Sequence, residues 1–419
     1  MRPGWLGPVT LAATLTALLA TGGAAPAATP AVTAQAQATN AAFLAYAPAP
    51  AAGAGALCLI DTGVNVNTDT KPELVSASAI DGGSGNDVDP DGHGTTMAMI
   101  AGAAGHAMIG AWPQIKIVSV RATDTPSPGQ EPTFEFDDYW QGISRCSTLA
   151  SSYHIHAIDL ALSSTIPPSP DQASNFASAV AQAHGQNVAL LAAAGNEPGA
   201  VEEPAAEPGV FAVGASTAHA DTLSAGISGS PCNFSPTQGL TFYAPGCGLD
   251  QANPFTDQPT CCGNGTSQAS AFAAAVLVAL MSYDPALSYA KAEQLLVSTA
   301  TNGNLNVAAA FEADGLGAIV TQGNANIPKP PAPTSAVKPA ARGLVVRSAR
   351  WRHGVLTLTV SGLGRDRLSI ELEYRHTRAR HVSTWRQTVT IRTARPRLVL
   401  LRVMIDKKKL GGPIIVHLR

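Results

Sequence analysis

The amino-acid sequence between residues 56 and 216 alternates short apolar runs with longer segments of helical pattern. Helix-like segments lie between several runs, for example at residues 137–153 and 171–185. The runs read ALCLI, IKIVSVRA, HAIDLAL, NVALLAAAG and GVFAVGAS. Strands that are apolar along their whole length are typical of a parallel sheet with helices on both faces. The sequence therefore predicts an α/β fold, with any functional site at the carboxyl ends of the strands.

The first 28 residues have the features of an export signal. Arg2 is their only charge, residues 6–20 form an apolar stretch, and small residues at 24–28 offer a cleavage site. The stretch is too short for a membrane anchor, and no second segment reaches the roughly 18 apolar residues that a span needs. We expect a secreted protein, extracellular or cell-wall associated, without a transmembrane anchor after signal cleavage. Residues 29–52 are rich in Ala and Pro, and either a short helix or a loose linker fits them.

Six cysteines also fit an oxidising compartment. Four of them cluster between residues 232 and 262, which predicts at least one disulfide there. Cys58 lies in an apolar run, where a buried thiol and a disulfide are equally consistent with the pattern. No CxxC pair is present, which argues against a zinc site. The cysteines are Cys58, Cys146, Cys232, Cys247, Cys261 and Cys262.

A Pro-rich segment at residues 326–341 predicts a linker, and the pattern changes after it. Residues 342–419 alternate apolar and polar side chains with period two, which predicts a small antiparallel β-sandwich of six or seven strands. Residues 329–419 hold 20 basic and 4 acidic residues, a net charge of +16, whereas the rest of the chain carries −19. An anionic cell-envelope polymer, or the acidic part of the chain itself, is the expected partner. The segment contains no recognisable nucleic-acid motif, so no nucleic acid is expected.

Four polar residues stand where apolar runs end or helices begin. Asp61 follows the first run, His93 starts a helix of small residues, Asn196 follows the NVALLAAAG run, and Ser267 starts a long apolar helix. A hydroxyl nucleophile, an imidazole base, a carboxylate that orients it and an amide donor are the groups that acyl transfer needs. Taken alone, the Ser267 stretch fits an ordinary helix cap better than a nucleophile.

These residues lie in motifs that resemble the subtilases, the subtilisin-like serine proteases. The stretches LIDTGV, DGHGTTMAMIAG, AAAGNEP and GNGTSQASA resemble the family's Asp, His, Asn and Ser motifs, and the chain order Asp, His, Ser also matches. The resemblance implies a subtilisin-like catalytic domain at residues 53–325. It implies a secreted serine endopeptidase with Asp61, His93 and Ser267 as its catalytic triad, Asn196 as its oxyanion donor, and peptides or proteins as its substrates.

The sequence departs from the family pattern at two places. Ala271 stands where the family usually has proline, from which we expect a changed helix start with the chemistry retained. Ser163 and Ser164 stand where the family's substrate strand has glycines. Together with Gly195 they are the expected substrate-binding residues, and that strand should pair with an extended substrate. Their Cβ atoms should narrow the specificity pocket and favour small or medium side chains.

No cofactor is required by this chemistry. The stretch DVDPDG, residues 87–92, matches the first half of a calcium-binding loop but lacks the later glutamate. Two interpretations stay open: a structural calcium site, and a solvated loop whose negative charge raises the basicity of His93. Two further functions also stay open, namely a catalytically inactive binding protein on the same fold and a surface-attachment protein that acts through its basic C-terminal domain. A transpeptidase, in which an amine in place of water attacks the acyl-enzyme, is a variant of the serine endopeptidase.

Overall fold

The computed structural model describes residues 32–80, 88–123, 134–218 and 230–328, and beyond them seven strands between residues 345 and 416. The chain divides into two compact units, Met1–Pro328 and Lys329–Arg419. The predicted export signal lies outside the described residues, and so do residues 329–341 of the predicted linker.

A sheet of eight strands forms the centre of the first unit. The strands are β1 (Ala56–Asp61), β2 (Leu74–Ala79), β3 (Lys116–Arg121), β4 (Ile155–Leu160), β5 (Ala189–Ala193), β6 (Phe211–Thr217), β7 (Phe242–Ala252) and β8 (Pro259–Asn264). Their order in the sheet is β2-β3-β1-β4-β5-β6-β7-β8. Neighbouring strands are parallel, except that β7 and β8 are antiparallel. The mostly parallel sheet predicted from the apolar runs is thus confirmed.

Helices cover this sheet on both faces. They are α1 (Ala34–Ala38), a 3-10 turn (Ala42–Ala45), α2 (His93–Gly102), α3 (Phe136–Tyr153), α4 (Pro170–Gly185), α5 (Thr266–Tyr283), α6 (Tyr289–Ser298), α7 (Val307–Ala313) and α8 (Gly317–Asn326). Side chains along β1 alternate between two cores. Leu57 and Leu59 pack in the core that contains α2 and α5, whereas Cys58 and Ile60 pack in the core that contains α3 and α4. Burial on both faces explains why the strand is apolar throughout.

The same alternation determines the partner of Cys58. Because Cys58 faces α3, it meets Cys146 on that helix, and the two form a disulfide with a Cα–Cα distance of 6.0 Å. The buried free thiol is therefore excluded for Cys58. A second disulfide joins Cys232 to Cys247, which confirms the bridge expected between residues 232 and 262.

Helix α5 is the central helix of the unit. It is long and apolar enough to cross a membrane, but 94% of it is buried inside the unit, as in the core helix of a globular domain. It packs against β4, β5, β6 and β7, and its many alanines suit this close packing. The first turn of α5, which contains Ser267, is therefore held by a large part of the core.

The N-terminal segment corrects the boundary expected at residue 53. Phe43 and Leu44 are fully buried, and the ring of Phe43 packs edge-on against Phe311 at 5.1 Å. The main-chain N–H of Ala34 donates to the Asp250 carboxylate at 2.8 Å. The loose-linker interpretation fails for residues 32–48, because their apolar side chains belong to the core of the first unit.

The second unit consists of antiparallel strands. They are β9 (Val345–Arg352), β10 (Val355–Ser361), β11 (Arg367–Tyr374), β12 (Thr377–Thr384), β13 (Thr388–Arg392), β14 (Leu398–Ile405) and β15 (Lys408–Val416). Three form one sheet in the order β13-β10-β9, and four form another in the order β12-β11-β14-β15. Leu356 and Leu358 on β10 are both fully buried, as the period-two pattern predicts.

Candidate functional site

Asp61 and His93 are in direct contact at the end of β1. The Nδ1 atom of His93 lies 2.8 Å from Oδ1 and 3.0 Å from Oδ2 of Asp61, whose side chain is buried. An ionised carboxylate can only accept hydrogen bonds, so Nδ1 carries the hydrogen. Nε2 of the neutral imidazole is then the lone-pair nitrogen that can take a proton.

A buried network holds these two residues in place. Thr62 donates its hydroxyl to Asp89 at 2.8 Å and accepts the main-chain N–H of Gly94 at 2.9 Å. Its own N–H donates to Asp61 at 2.7 Å. Gly94 must be glycine, because a Cβ there would lie 2.2 Å from the carbonyl oxygen of Gly63. The start of α2 is thereby tied to the end of β1.

The charges around His93 favour its protonated form. Burial opposes protonation, but the negative charge and hydrogen bond of Asp61, together with the charges of Asp91 and Asp89, outweigh it and raise the pKa of His93 to about 9. Asp89 and Asp91 thus act on His93 in the direction expected from the acidic loop, although Asp89 is buried and not solvated. Asp87 lies outside the described residues.

Asn196 is held against the residue that precedes Ser267. Its Oδ1 accepts the main-chain N–H of Thr266 at 3.0 Å, so the amide NH₂ is the end that remains for another partner. The Thr266 hydroxyl donates to the carbonyl of Gly195 at 3.0 Å and accepts the N–H of Gly195 at 3.1 Å. Ser267 lies in the first turn of α5, which packs against α2, the helix that begins at His93. The segments that contain all four predicted residues thus converge.

The predicted substrate residues have partners that the sequence did not indicate. The Ser163 hydroxyl donates to Oε2 of Glu202 at 2.8 Å. The main-chain N–H of Ser164 donates to the carbonyl of Glu203 at 2.8 Å, and the N–H of Glu203 returns a bond at 3.0 Å. The N–H of Ser164 is thus already bonded within the chain, and the pairing of this strand with a substrate stays a prediction.

Two groups of carboxylates could offer oxygen ligands to a metal ion. Oδ1 of Asp89 accepts the N–H groups of Asp91 and Gly92 as well as the Thr62 hydroxyl, and Oδ2 accepts two donors from Thr95. The ligand atoms of Asp69, His106 and Asp257 lie within 4.8 Å of one another. Asp69, however, already accepts three main-chain N–H groups, those of residues 106–108. Both Asp89 and Asp69 are thus engaged by protein donors, and a calcium site stays a prediction.

Asp159 is a buried acid that the sequence analysis did not select. It lies in β4, fully buried, and Ser270 on α5 donates its hydroxyl to Oδ1. The pKa of Asp159 is raised to about 8, mainly by burial and further by the charge of Asp61. The Ser270 hydrogen bond and the charge of His93 act in the opposite direction. The sequence feature that could have indicated Asp159 is a single carboxylate inside the otherwise apolar run HAIDLAL. Such a residue is unusual because an unpaired buried charge is costly.

Replacing Asp159 with asparagine should stabilise the protein at alkaline pH. The pKa of Asp159 in the folded state lies above the unfolded value of ~3.9, so the free energy of unfolding falls by roughly 1.4 kcal/mol for each pH unit between these two values. Asparagine does not ionise, so the variant does not lose this stability. The measurement is the melting temperature of both proteins at pH 5 and pH 9. We expect the advantage of Asp159→Asn to be larger at pH 9. Equal differences at the two pH values would contradict a buried, protonated Asp159.

Solved structures with the same fold are proteases. An S41 psychrophilic protease is 22% identical, with a TM-score of 0.54 over 66% of this chain and 92% of its own. A protease from Pseudoalteromonas arctica is 19% identical, with a TM-score of 0.55 over 68% of this chain and 99% of its own. At these identities the likeness establishes the fold alone.

Sequence comparison extends this likeness to a family. The minor extracellular protease Epr of Bacillus subtilis is 31% identical over 202 residues, and proprotein convertase subtilisin/kexin type 9 of Rattus norvegicus is 35% identical over 125 residues. The matches cover 47% and 29% of this chain, but only 28% and 17% of the relatives' lengths. The sequence model of the subtilase family matches residues 54–317, well over half of the chain. The chain belongs to the subtilase family.

Proposed function

We propose that this chain is an exported serine endopeptidase that cleaves peptide bonds through an acyl-enzyme. Ser267 is the nucleophile, His93 the general base and then general acid, and Asp61 the group that orients His93. Asn196 donates its amide to the oxyanion. The family assignment supports a serine protease, and the contact between Asp61 and His93 is the observation that supports these roles most directly.

Each step of the reaction has a chemically suitable group. Nε2 of His93 takes the Ser267 proton as Oγ attacks the scissile carbonyl, and then gives it to the departing amine. In the second half of the reaction, water attacks the acyl-enzyme and His93 again acts as the general base. Asp61 accepts the Nδ1 hydrogen throughout and stabilises the imidazolium.

The oxyanion needs donors that are oriented before the reaction. The hydrogen bond from Thr266 to Oδ1 of Asn196 fixes which end of the amide is engaged, and thereby supports Nδ2 as the donor. The N-terminus of α5 adds main-chain N–H groups and a partial positive charge.

Export is supported by two independent features. Residues 1–28 have the pattern of a signal peptide, and both disulfides require an oxidising compartment. The name of the Bacillus relative Epr describes an extracellular protease.

Covalent labelling tests the proposed nucleophile. The secreted full chain is incubated with a fluorophosphonate probe, beside Ser267→Ala and the control Ser178→Ala, which changes an exposed serine on α4. The unchanged chain and Ser178→Ala should be labelled, and Ser267→Ala should not. Circular dichroism verifies that all three are folded. Equal labelling of Ser267→Ala, or no labelling of the folded chain, would contradict the proposed function.

A further inference from the structure

The carboxylate of Glu202 lies between the two chain segments that are expected to hold a substrate. On one side, its Oε2 accepts the Ser163 hydroxyl at 2.8 Å. On the other, a Cβ built on Gly195 would lie 2.2 Å from Cδ and 2.6 Å from Oε2 of Glu202. Gly195 has a φ of +104°, so the Glu202 side chain occupies the space that only a glycine leaves there. The N–H of Glu202 also donates to the carbonyl of Ala194 at 2.9 Å.

This position is close to the proposed reaction centre. Gly195 exchanges two hydrogen bonds with the Thr266 hydroxyl, and Ser267 is the next residue. Asn196, the proposed oxyanion donor, is the residue after Gly195. A side chain that enters between the segments of Ser163 and Gly195 would therefore come from the substrate residue that contributes the scissile carbonyl.

Acidic side chains cluster at this place. Glu203 and Glu207 lie nearby; burial, and then the charge of Glu207, raise the pKa of Glu203. Within the described ranges, the structure records no ion pair between Glu202 and a lysine or arginine.

We propose that Glu202 makes the enzyme selective for substrates with lysine or arginine at the residue that contributes the scissile carbonyl. The inference rests on the proposed function, because it assigns specificity to the same site. Glu202 is only partly buried, so its carboxylate stays accessible to a cationic side chain of a substrate. Ser163 holds the carboxylate in position through its hydroxyl. This proposal differs from the preference for small or medium side chains that was expected from Ser163 and Ser164.

The test uses peptides that differ only at this residue, which is lysine, arginine or the uncharged norleucine. For the unchanged full chain, kcat/KM should be about 10- to 100-fold higher for lysine and arginine than for norleucine, because a charged hydrogen bond forms only with the basic residues. In Glu202→Gln this ratio should fall to near 1. The matched control Glu312→Gln removes the same charge from an exposed position on α7 and should keep the ratio.

The outcomes separate this inference from the proposed function. Cleavage of all three peptides with similar kcat/KM by the unchanged chain would overturn the specificity but leave the peptidase intact. A ratio that persists in Glu202→Gln would show that another group selects the charge. If Glu202→Gln fails to fold, Ser163→Ala replaces it and should lower the ratio, because the carboxylate loses its hydrogen bond. If the folded, unchanged chain showed neither peptide cleavage nor fluorophosphonate labelling, both the proposed function and this inference would be overturned.

Discussion

Replacing His93 with alanine should lower kcat for peptide hydrolysis by about 10⁶-fold, the scale observed when the base of such a triad is removed. No other imidazole is in contact with Asp61 among the described residues, so no side chain is placed to take over the proton transfer. The loss should appear in kcat, because the imidazole acts in the transition state and contributes little to substrate binding.

Steady-state kinetics on one peptide measure this effect. The control is His184→Ala, on α4, where the ring stacks on Tyr289 at 4.2 Å and takes no part in the proposed reaction. Its kcat should be close to that of the unchanged chain. A His93→Ala protein with more than about one hundredth of the original rate would contradict the role of His93 as general base.

Replacing Asp61 with asparagine should lower kcat by about 10⁴-fold and shift the pH profile. The amide can donate to Nδ1, which favours the tautomer whose hydrogen is on Nε2 and leaves no lone pair to accept the Ser267 proton. Asp61 is also the main charge that raises the pKa of His93 to about 9. The base must be neutral to accept a proton, so kcat/KM of the unchanged chain should rise with pH as His93 loses its proton. The midpoint of this rise should lie above the ordinary histidine pKa of ~6.5 and towards 9.

The pH dependence of kcat/KM is measured for both proteins with a substrate that does not titrate in this range. The limb should move to lower pH in Asp61→Asn, because the carboxylate no longer stabilises the imidazolium. An unchanged limb would mean that the observed pKa belongs to a group other than His93. A rate within about tenfold of the original would contradict the role of Asp61 in orienting the imidazole.

Local pattern was sufficient for the positions of the four central residues. Asp61 ends an apolar strand and Asn196 follows one, whereas His93 and Ser267 lie in the first turns of helices, so each could be located from the residues beside it. Parallel strands place their carboxyl ends at one edge of a sheet, which is why separate motifs could be predicted to converge. The same reasoning predicted a disulfide near Cys232 and Cys247, which are only 15 residues apart.

Local pattern failed where a side chain depends on a distant partner. The uncharged segment around Phe43 could be a linker or a packed helix, and its contact with Phe311, 268 residues further along, decides the question. Asp159 was overlooked because its partner, Ser270, is 111 residues away. The sequence also did not indicate that the Ser163 hydroxyl bonds to Glu202, which is 39 residues away.

The sequence by itself determined the α/β fold, the family and the residues proposed for catalysis, because these depend on short patterns of burial, capping and motif. Only the tertiary structure decided which groups surround them. It paired Cys58 with Cys146, used the N–H of Ser164 within the chain, and placed Glu202 beside Gly195. The physical reason is that hydrogen bonds, disulfides and charge effects act over a few ångströms, and residues far apart in sequence meet at that range only once the chain is folded.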